Sequence, residues 1–345
     1  MAWWPLIRLL PKKTSFTYVK FAGFAAFLSV AAVLGSLGSM LSGGFRENPV
    51  ALYQGAEGGV MARFGAVLER GFNLGIDFKG GTSVLIEAPQ PIPHEPLRNL
   101  GNRLQDGSVE VQGTTCRPAD APPYCAILSF ASTEGGSALV ERLRTSLPQV
   151  AQDARIVSVD VVGAKVSEEL FSGGLIALGL AILLMLIYIW FRFEWQFGLG
   201  GVLALFHDVI LTLGLFSVFR LEFTLTIIAA LLTIIGYSMN DTVVVFDRMR
   251  ENLRKYKKMP LGELVNLSLN ETLSRTIITG CTALFALVGL LYFGGEALSG
   301  FAIAMIFGII VGTYSSIYVA APAILIWGVK RGEFEVRVGA AKTAR

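Results

Sequence analysis

Charge is what this sequence has little of. Asp, Glu, Lys and Arg make up 16% of its 345 residues, well below the roughly 25% of soluble domains. An ordinary soluble domain is set aside on that ground. Histidine is scarcer still: His94 and His207 lie far apart, and neither a zinc-type Cys/His spacing nor a Gly-rich phosphate loop occurs. Metal and nucleotide chemistry, and with them any cofactor, drop out of the reading. No Ser/His/Asp grouping or ligand cluster stands in the polar part of the chain, so it reads as a non-enzyme. There are only three cysteines. Cys281 lies in an apolar run and reads as a small packing residue. Cys116 and Cys125 flank the Pro-rich stretch RPADAPPY. If that region is extracytoplasmic the pair has the surroundings for a disulfide, and spacing alone leaves the oxidised and reduced forms both open.

What is present is apolar, 53% of the chain. Six runs reach the roughly 20 residues needed to cross a bilayer, near 19–41, 171–191, 197–219, 223–246, 274–293 and 299–327. The first exceeds the apolar core of a signal peptide, roughly 7–15 residues, and is read as a retained span. Lys and Arg set the orientation. They gather at the N-terminus (Arg8, Lys12, Lys13, Lys20), after the fourth span (Arg248 to Lys258) and at the C-terminus (Lys330 to Arg345), whereas the opposite short loops offer Arg220. Both termini are therefore expected in the cytoplasm. The basic stretch after the fourth span sets topology rather than binding nucleic acid. The segment Trp3–Leu10 suits either the inner headgroup layer or a disordered tail.

Asp241 lies inside the fourth apolar run, in the polar interruption Gly236-Tyr237-Ser238-Met239-Asn240-Asp241. An ionised Asp at such depth costs roughly 2.5–3.5 kcal/mol on insertion scales. It must face protein or water, carry a proton, or pair with a cation, which makes it the leading ion-handling candidate. The plainer account is a static ion pair. Arg275, at the start of the fifth run, can reach a similar depth on an antiparallel helix: Asp241 stands six residues, about 9 Å, inside Asp247. Arginine stays charged, and a carboxyl group's proton affinity depends on burial and on nearby cations. A change in their separation would therefore take up or release a proton, although Arg275 also reads as an ordinary positive-inside anchor. Asn240 reads as helping to satisfy either Asp241 or a neighbouring helix. His207 and Asp208, near the middle of the third run, are accessory candidates, with structural hydrogen bonding favoured for both. Gly308, Gly312 and Ser316 form a small-residue face suited to close helix packing.

Between the first two spans the pattern is mixed. Phe72–Ala88 reads as two β segments around a Lys79-Gly80-Gly81 break, with Asp77 capping that turn. A helix over Pro96–Gln105, strands over Ser108–Gly113 and Tyr124–Phe130, a helix over Ser137–Leu147 and a strand over Ala154–Val162 follow. The order β-α-β-β-α-β is that of a ferredoxin-like unit. The fold class is a polytopic α-helical membrane protein with six transmembrane helices and one α+β ferredoxin-like extracytoplasmic domain. Its parts are an N-terminal cytoplasmic segment (1–18), the first transmembrane helix (19–41), a linker (42–70), the outer, periplasmic domain (71–170), a five-helix transmembrane domain (171–327) and a cytoplasmic tail (328–345). Within the linker a flexible chain and a short amphipathic helix from Val60 to Arg70 are equally compatible with the sequence.

Two strings carry a resemblance: Gly75-Ile76-Asp77-Phe78-Lys79-Gly80-Gly81-Thr82, and Ile235 to Asn252 running out of the fourth span. Together with Phe191-Arg192-Phe193-Glu194-Trp195 and Ala204-Leu205-Phe206-His207-Asp208-Val209, the chain closely resembles the SecF family. These are the smaller membrane subunits of bacterial SecDF accessory translocases, in the resistance-nodulation-division superfamily. The likeness runs from about residue 70 to 330 and departs in about 25 residues (44–68) ahead of the first motif. It implies location in the bacterial inner membrane and the use of proton motive force to assist preprotein export. It also implies SecD and the SecYEG translocon as partners, with YidC and YajC beside them, and contact with the translocating preprotein and the lipid bilayer. Asp241 would be the proton-carrying carboxylate, Arg275 the arginine near it, and Thr279 a further member one turn on; Asp77, Gly80 and Gly81 belong to the family motif. Two alternatives stand against this: a non-transporting scaffold of the translocon, and a small-molecule or lipid exporter of the same superfamily.

Overall fold

The structure, a computed structural model, describes residues 14–46, 48–55, 67, 70–104, 109–114, 124–130 and 136–329. The readings for Trp3–Leu10, for most of Val60–Arg70, for Cys116 and for the tail beyond Val329 fall outside the described residues. In chain order, α1 (Tyr18–Leu41) and α2 (Pro49–Gly55) precede β1 (Asn73–Leu74) and the single turn α3 (Ile76–Lys79). The outer domain follows as β2 (Gly81–Ala88), α4 (His94–Leu104), β3 (Val109–Thr114), β4 (Tyr124–Phe130), α5 (Gly136–Ser146) and β5 (Arg155–Val162). The membrane half contains α6 (Ala164–Arg192), α7 (Trp195–Phe219), β6 (Glu222–Phe223), α8 (Leu225–Lys255) and α9 (Leu261–Phe293). It ends with α10 (Glu296–Ser315), a π-helical turn (Ser316–Ala320) and α11 (Ala321–Trp327).

Six helical stretches are long and apolar enough to span a bilayer: α1, α6, α7, α8, α9, and α10 continued through the π turn into α11. A helix is the form these runs take because hydrocarbon offers no water to unpaired backbone groups. Three helices, α6, α8 and α9, outlast their apolar runs. The stretch Arg248–Lys258, expected to be a loop, stays helical as far as Lys255, since Arg, Met, Glu, Leu and Lys are all good helix formers. Ion pairs hold this end: Arg248 lies 2.6 Å from Glu251 and 2.7 Å from Glu271, and Arg192 lies 2.6 Å from Asp247.

Half of the most apolar stretch of α7 and of α8 is buried against the rest of the chain, against 6% for α6. The third and fourth spans are thus the centre of the bundle, while α6 presents Leu184, Trp190 and Phe191 outward. Small residues set the closest approaches. A Cβ on Gly214 of α7 would lie 2.2 Å from Ser36 Oγ and 3.0 Å from Ser36 Cα of α1, and one turn further on the Ser39 and Ser217 hydroxyls meet at 2.8 Å. Gly214→Val is expected to force the two helices apart at a cost of about 1–3 kcal/mol, the usual range for overpacking. The check is a Ser39→Cys/Ser217→Cys pair. It should cross-link on oxidation in the parent and fail to do so with Gly214→Val, and an undiminished cross-link would disprove the tight contact.

The four-stranded sheet of the outer domain has the order β3-β4-β2-β5 with antiparallel neighbours throughout. That is the ferredoxin-like arrangement, with the first and third strands central. Val84 and Ile86 of β2, Leu128 and Phe130 of β4, Leu97 of α4 and Leu143 of α5 form its core, each at most 1% exposed. The start of the domain differs from the expectation. Within Phe72–Ala88 only β2 joins this sheet; Asn73 and Leu74 pair in parallel with Glu222 and Phe223, and Ile76–Lys79 is a single helical turn. The GxDFxGG string is therefore a joint between the outer domain and the membrane half.

Candidate functional site

Asp241 sits midway along α8 and is held by hydroxyls from two other spans. Thr276 of α9 donates to Oδ1 at 2.6 Å, and Ser316, the first residue of the π turn, donates to Oδ2 at 3.0 Å. Each such charge-assisted bond is worth about 1.5–3 kcal/mol. The small-residue face brings Ser316 into reach. A Cβ on Gly308 would lie 2.5 Å from Ile234, and one on Gly312 would lie 3.0 Å from Ser238 Cβ, so α10 can press against α8 at this level. The close approach continues on the other side, where a Cβ on Gly200 of α7 would stand 2.8 Å from the Ala320 carbonyl oxygen in the π turn. π turns recur at functional sites. Here the turn begins at the residue that bonds the carboxylate.

The other expected members are placed differently. Arg275 neighbours Thr276 on α9, but no ion pair within 4 Å joins it to Asp241 among the described residues. Arg275, Asn240 and Thr279 are all exposed in the single chain. Thr279 takes part through its backbone carbonyl, which accepts from the Tyr237 hydroxyl at 3.0 Å. Together they form a polar strip beside Asp241 on the outer surface of α8 and α9. Reading by charge pointed to Arg275 and passed over Thr276 and Ser316. The signal for Ser316 was its position four residues after Gly312, on the face that must meet α8.

A second polar group is enclosed behind the first. Asp208 is 1% exposed and His207 5%. His207 Nδ1 lies 2.9 Å from Asp208 Oδ1, while Ser238 of α8 and Ser315 of α10 donate to Asp208 Oδ2 at 2.5 and 2.8 Å. Although the two residues are adjacent, both point into the protein because the imidazole turns back to its neighbour's carboxylate.

At the outer end of α8, Asp77 does not serve the Gly80-Gly81 turn. Its Oδ2 accepts the backbone N–H of Leu225 at 2.9 Å and so caps the fourth span. Thr224, the residue in the N-cap position, makes no such side-chain bond and pairs with Thr226 instead. Gly75 N–H donates to the Phe223 carbonyl at 2.9 Å, and Ser167 of α6 donates to the Ile76 carbonyl at 3.1 Å. Gly80 has φ +71°, and a Cβ there would lie 3.3 Å from Ala164 Cα, so this glycine is required both for backbone conformation and for the approach of α6. In β4, Cys125 is disulfide-bonded, and Cys281 is free and exposed. Among the described residues no His/Cys/Asp/Glu group is arranged to hold a metal ion.

The chain as a whole is similar to known proteins. Residues 142–330 match the family model for the C-terminal part of the protein export membrane proteins SecD and SecF, and residues 65–92 match the SecD/SecF GG motif. The protein translocase subunit SecF of Ketogulonicigenium vulgare is 39% identical over 332 residues, which cover 94% of this chain and 93% of its own length. A protein translocase subunit SecDF of Brucella abortus is 44% identical over 264 residues, 76% of this chain and 34% of that longer one. The crystal structure of SecDF, a translocon-associated membrane protein from Thermus thermophilus, superposes with a TM-score of 0.72 at 32% identity. The match covers 94% of this chain and 40% of that one.

Proposed function

The chain belongs to the SecF family of protein translocase subunits, and on that premise we propose that it works with SecD as the proton-driven half of an accessory translocase that helps preproteins across SecYEG. It is a carrier of protons and force rather than an enzyme. The observation that carries this reading is Asp241: a carboxylate in mid-span, held by Thr276 and Ser316, with Asn240, Arg275 and Thr279 exposed beside it. Facing lipid, the Arg275 guanidinium would be costly to leave uncovered, by an amount that reaches about 2.5–3.5 kcal/mol at a helix centre. Helices of SecD are the natural cover, since the Brucella relative bears the SecDF name on one longer chain. Both termini are assigned to the cytoplasm, and the outer domain to the periplasm, by the excess of Lys and Arg around 248–258 and at the chain ends.

In this reading a proton entering from the outer side binds Asp241 and leaves toward the cytoplasm. Protonation removes the charge that Thr276 and Ser316 hold, so the contact between α8, α9 and the sixth span loosens. α8 then acts as a rod. Asp241 lies 16 residues from Leu225, about 24 Å at 1.5 Å per residue, and Leu225 is bonded directly to the outer domain through Asp77. A tilt of α8 is thereby delivered to the β1–β6 joint. The test uses vesicles holding this chain, SecD and SecYEG. An imposed inward proton gradient should speed late preprotein transit several-fold, and an uncoupler should remove the gain. Equal rates with and without the gradient would overturn the reading and leave a static assembly role.

A further inference from the structure

We propose that His207 and Asp208 form a second proton-binding site, enclosed within this chain and coupled to Asp241 through the adjacent hydroxyls of Ser315 and Ser316. The inference rests on the reading of Asp241 given above and extends it to residues to which the comparisons assign no role.

The site is built rather than incidental. Asp208 Oδ2 receives two hydroxyl donors and Oδ1 faces an imidazole nitrogen. On the far side of that ring, His207 Nε2 is buried without any hydrogen-bond partner among the described residues. A lone carboxylate anion this deep is expensive, and the imidazole 2.9 Å from it offers a place for a compensating proton. Few ionisable groups lie on the helices around it. From Trp195 to Phe219, α7 has no others; α1 has Tyr18 and Lys20 in its first turn; α6 has Lys165, Glu168 and Glu169 near one end and Tyr188 and Arg192 near the other. The apolar part of α8 has Tyr237 and Asp241, the sixth span has Glu296 at its start with Tyr314 and Tyr318, and α11 has none. Of these, Tyr314 stacks on the imidazole at 6.0 Å between ring centres, and Asp241 stands three residues along α8 from Ser238, on the same side of the helix.

The coupling lies in the two serines. Ser315 Oγ reaches Asp208 Oδ2 at 2.8 Å and its own Gly312 carbonyl at 3.1 Å; Ser316 Oγ reaches Asp241 Oδ2 and its own Thr313 carbonyl, both at 3.0 Å. Each hydroxyl carries one proton and so satisfies one acceptor at a time. An ionised carboxylate holds that proton. Once the carboxyl is protonated it becomes a donor, and the serine turns to its backbone carbonyl while accepting from the carboxyl O–H. Because the two serines are consecutive and straddle the junction of α10 with the π turn, a shift of backbone made by one is felt by the other. Each proton bound or released balances as a simple exchange with water once the site opens, with no other reactant.

Infrared titration of the SecD-bound chain in vesicles follows the carboxyl C=O bands, the Asp241 band being the one lost in Asp241→Asn. The expected result is that Asp208→Asn and Ser315→Ala each move the Asp241 half-titration point by at least one pH unit, about tenfold in proton concentration. Ser315→Ala removes a single oxygen and keeps the inference testable if Asp208→Asn fails to fold. An Asp241 band whose midpoint ignores both variants would overturn the coupling alone. Absence of any titrating Asp241 band would overturn the proposed role of Asp241 as well.

Discussion

Replacing Asp241 with asparagine is expected to abolish the gradient-dependent part of preprotein export while leaving the chain folded and paired with SecD. Asparagine has nearly the same shape. Its amide oxygen can still accept from Thr276 at the 2.6 Å site, and its NH₂ can donate to the Ser316 oxygen. What it cannot do is gain and lose a proton. One elementary charge crossing 100 mV is worth about 2.3 kcal/mol, roughly fifty-fold in an equilibrium constant at 1.36 kcal/mol per tenfold. The whole of that bias disappears in the variant. Vesicle export by Asp241→Asn should therefore match the uncoupled rate of the parent, and proton flux linked to translocation should fall to background. Flux equal to the parent's would eliminate Asp241 as the carrier.

The second large effect is expected at Asp77. Removing its carboxylate with Asp77→Ala uncaps α8, since Leu225 N–H has its bond to Asp77 Oδ2 and Thr224 supplies no substitute. Loss of such a cap costs about 0.5–2 kcal/mol, and the negative charge at a helix N-terminus adds about 0.3–1 kcal/mol. This is too little to unfold the bundle, and the β1–β6 pairing and the Gly75–Phe223 bond remain, but the direct hold of the outer domain on the first turn of α8 is lost. Proton uptake at Asp241 should persist while gradient-driven export drops several-fold, and Asp77→Asn, which keeps a capping oxygen, should fall between. Parallel measurement of flux and export separates the two quantities. Full export by Asp77→Ala would show that force passes from α8 to the outer domain by some other contact.

Much of this molecule was legible in its sequence because hydropathy dictates it. The six spans follow from runs that a bilayer admits only as helices, and β2 to β5 with their two helices follow from alternation and turn residues. The joint was not legible. β1 has two residues, and its partner Glu222–Phe223 lies almost 150 positions away, so no local pattern announces the pairing. The same distance hid the true partner of Asp77, whose nearest apparent use was the adjacent Gly80-Gly81 turn. Around Asp241, a search by charge finds that carboxylate and Arg275, yet the atoms that touch the carboxylate belong to Thr276 and Ser316. Hydroxyls in membrane helices usually bond their own backbone, as Thr282 and Thr233 do here, so they carry little signal until helix rotation is known.

A π turn is an α-helix holding one surplus residue, and in the sixth span that surplus reconciles two orientations. Where it begins, Ser315 and Ser316 must aim at carboxylates on α7 and α8; after it, Ala321 and Ile324 must aim at the apolar core, where both are fully enclosed. Deleting one residue between Ile317 and Ala320 would restore ordinary winding and rotate one half against the other by about 100°. Either the hydroxyls or the alanines would then face the wrong way. The length of this segment, counted to the single residue, is as much a part of the Asp241 and Asp208 surroundings as the side chains that line them.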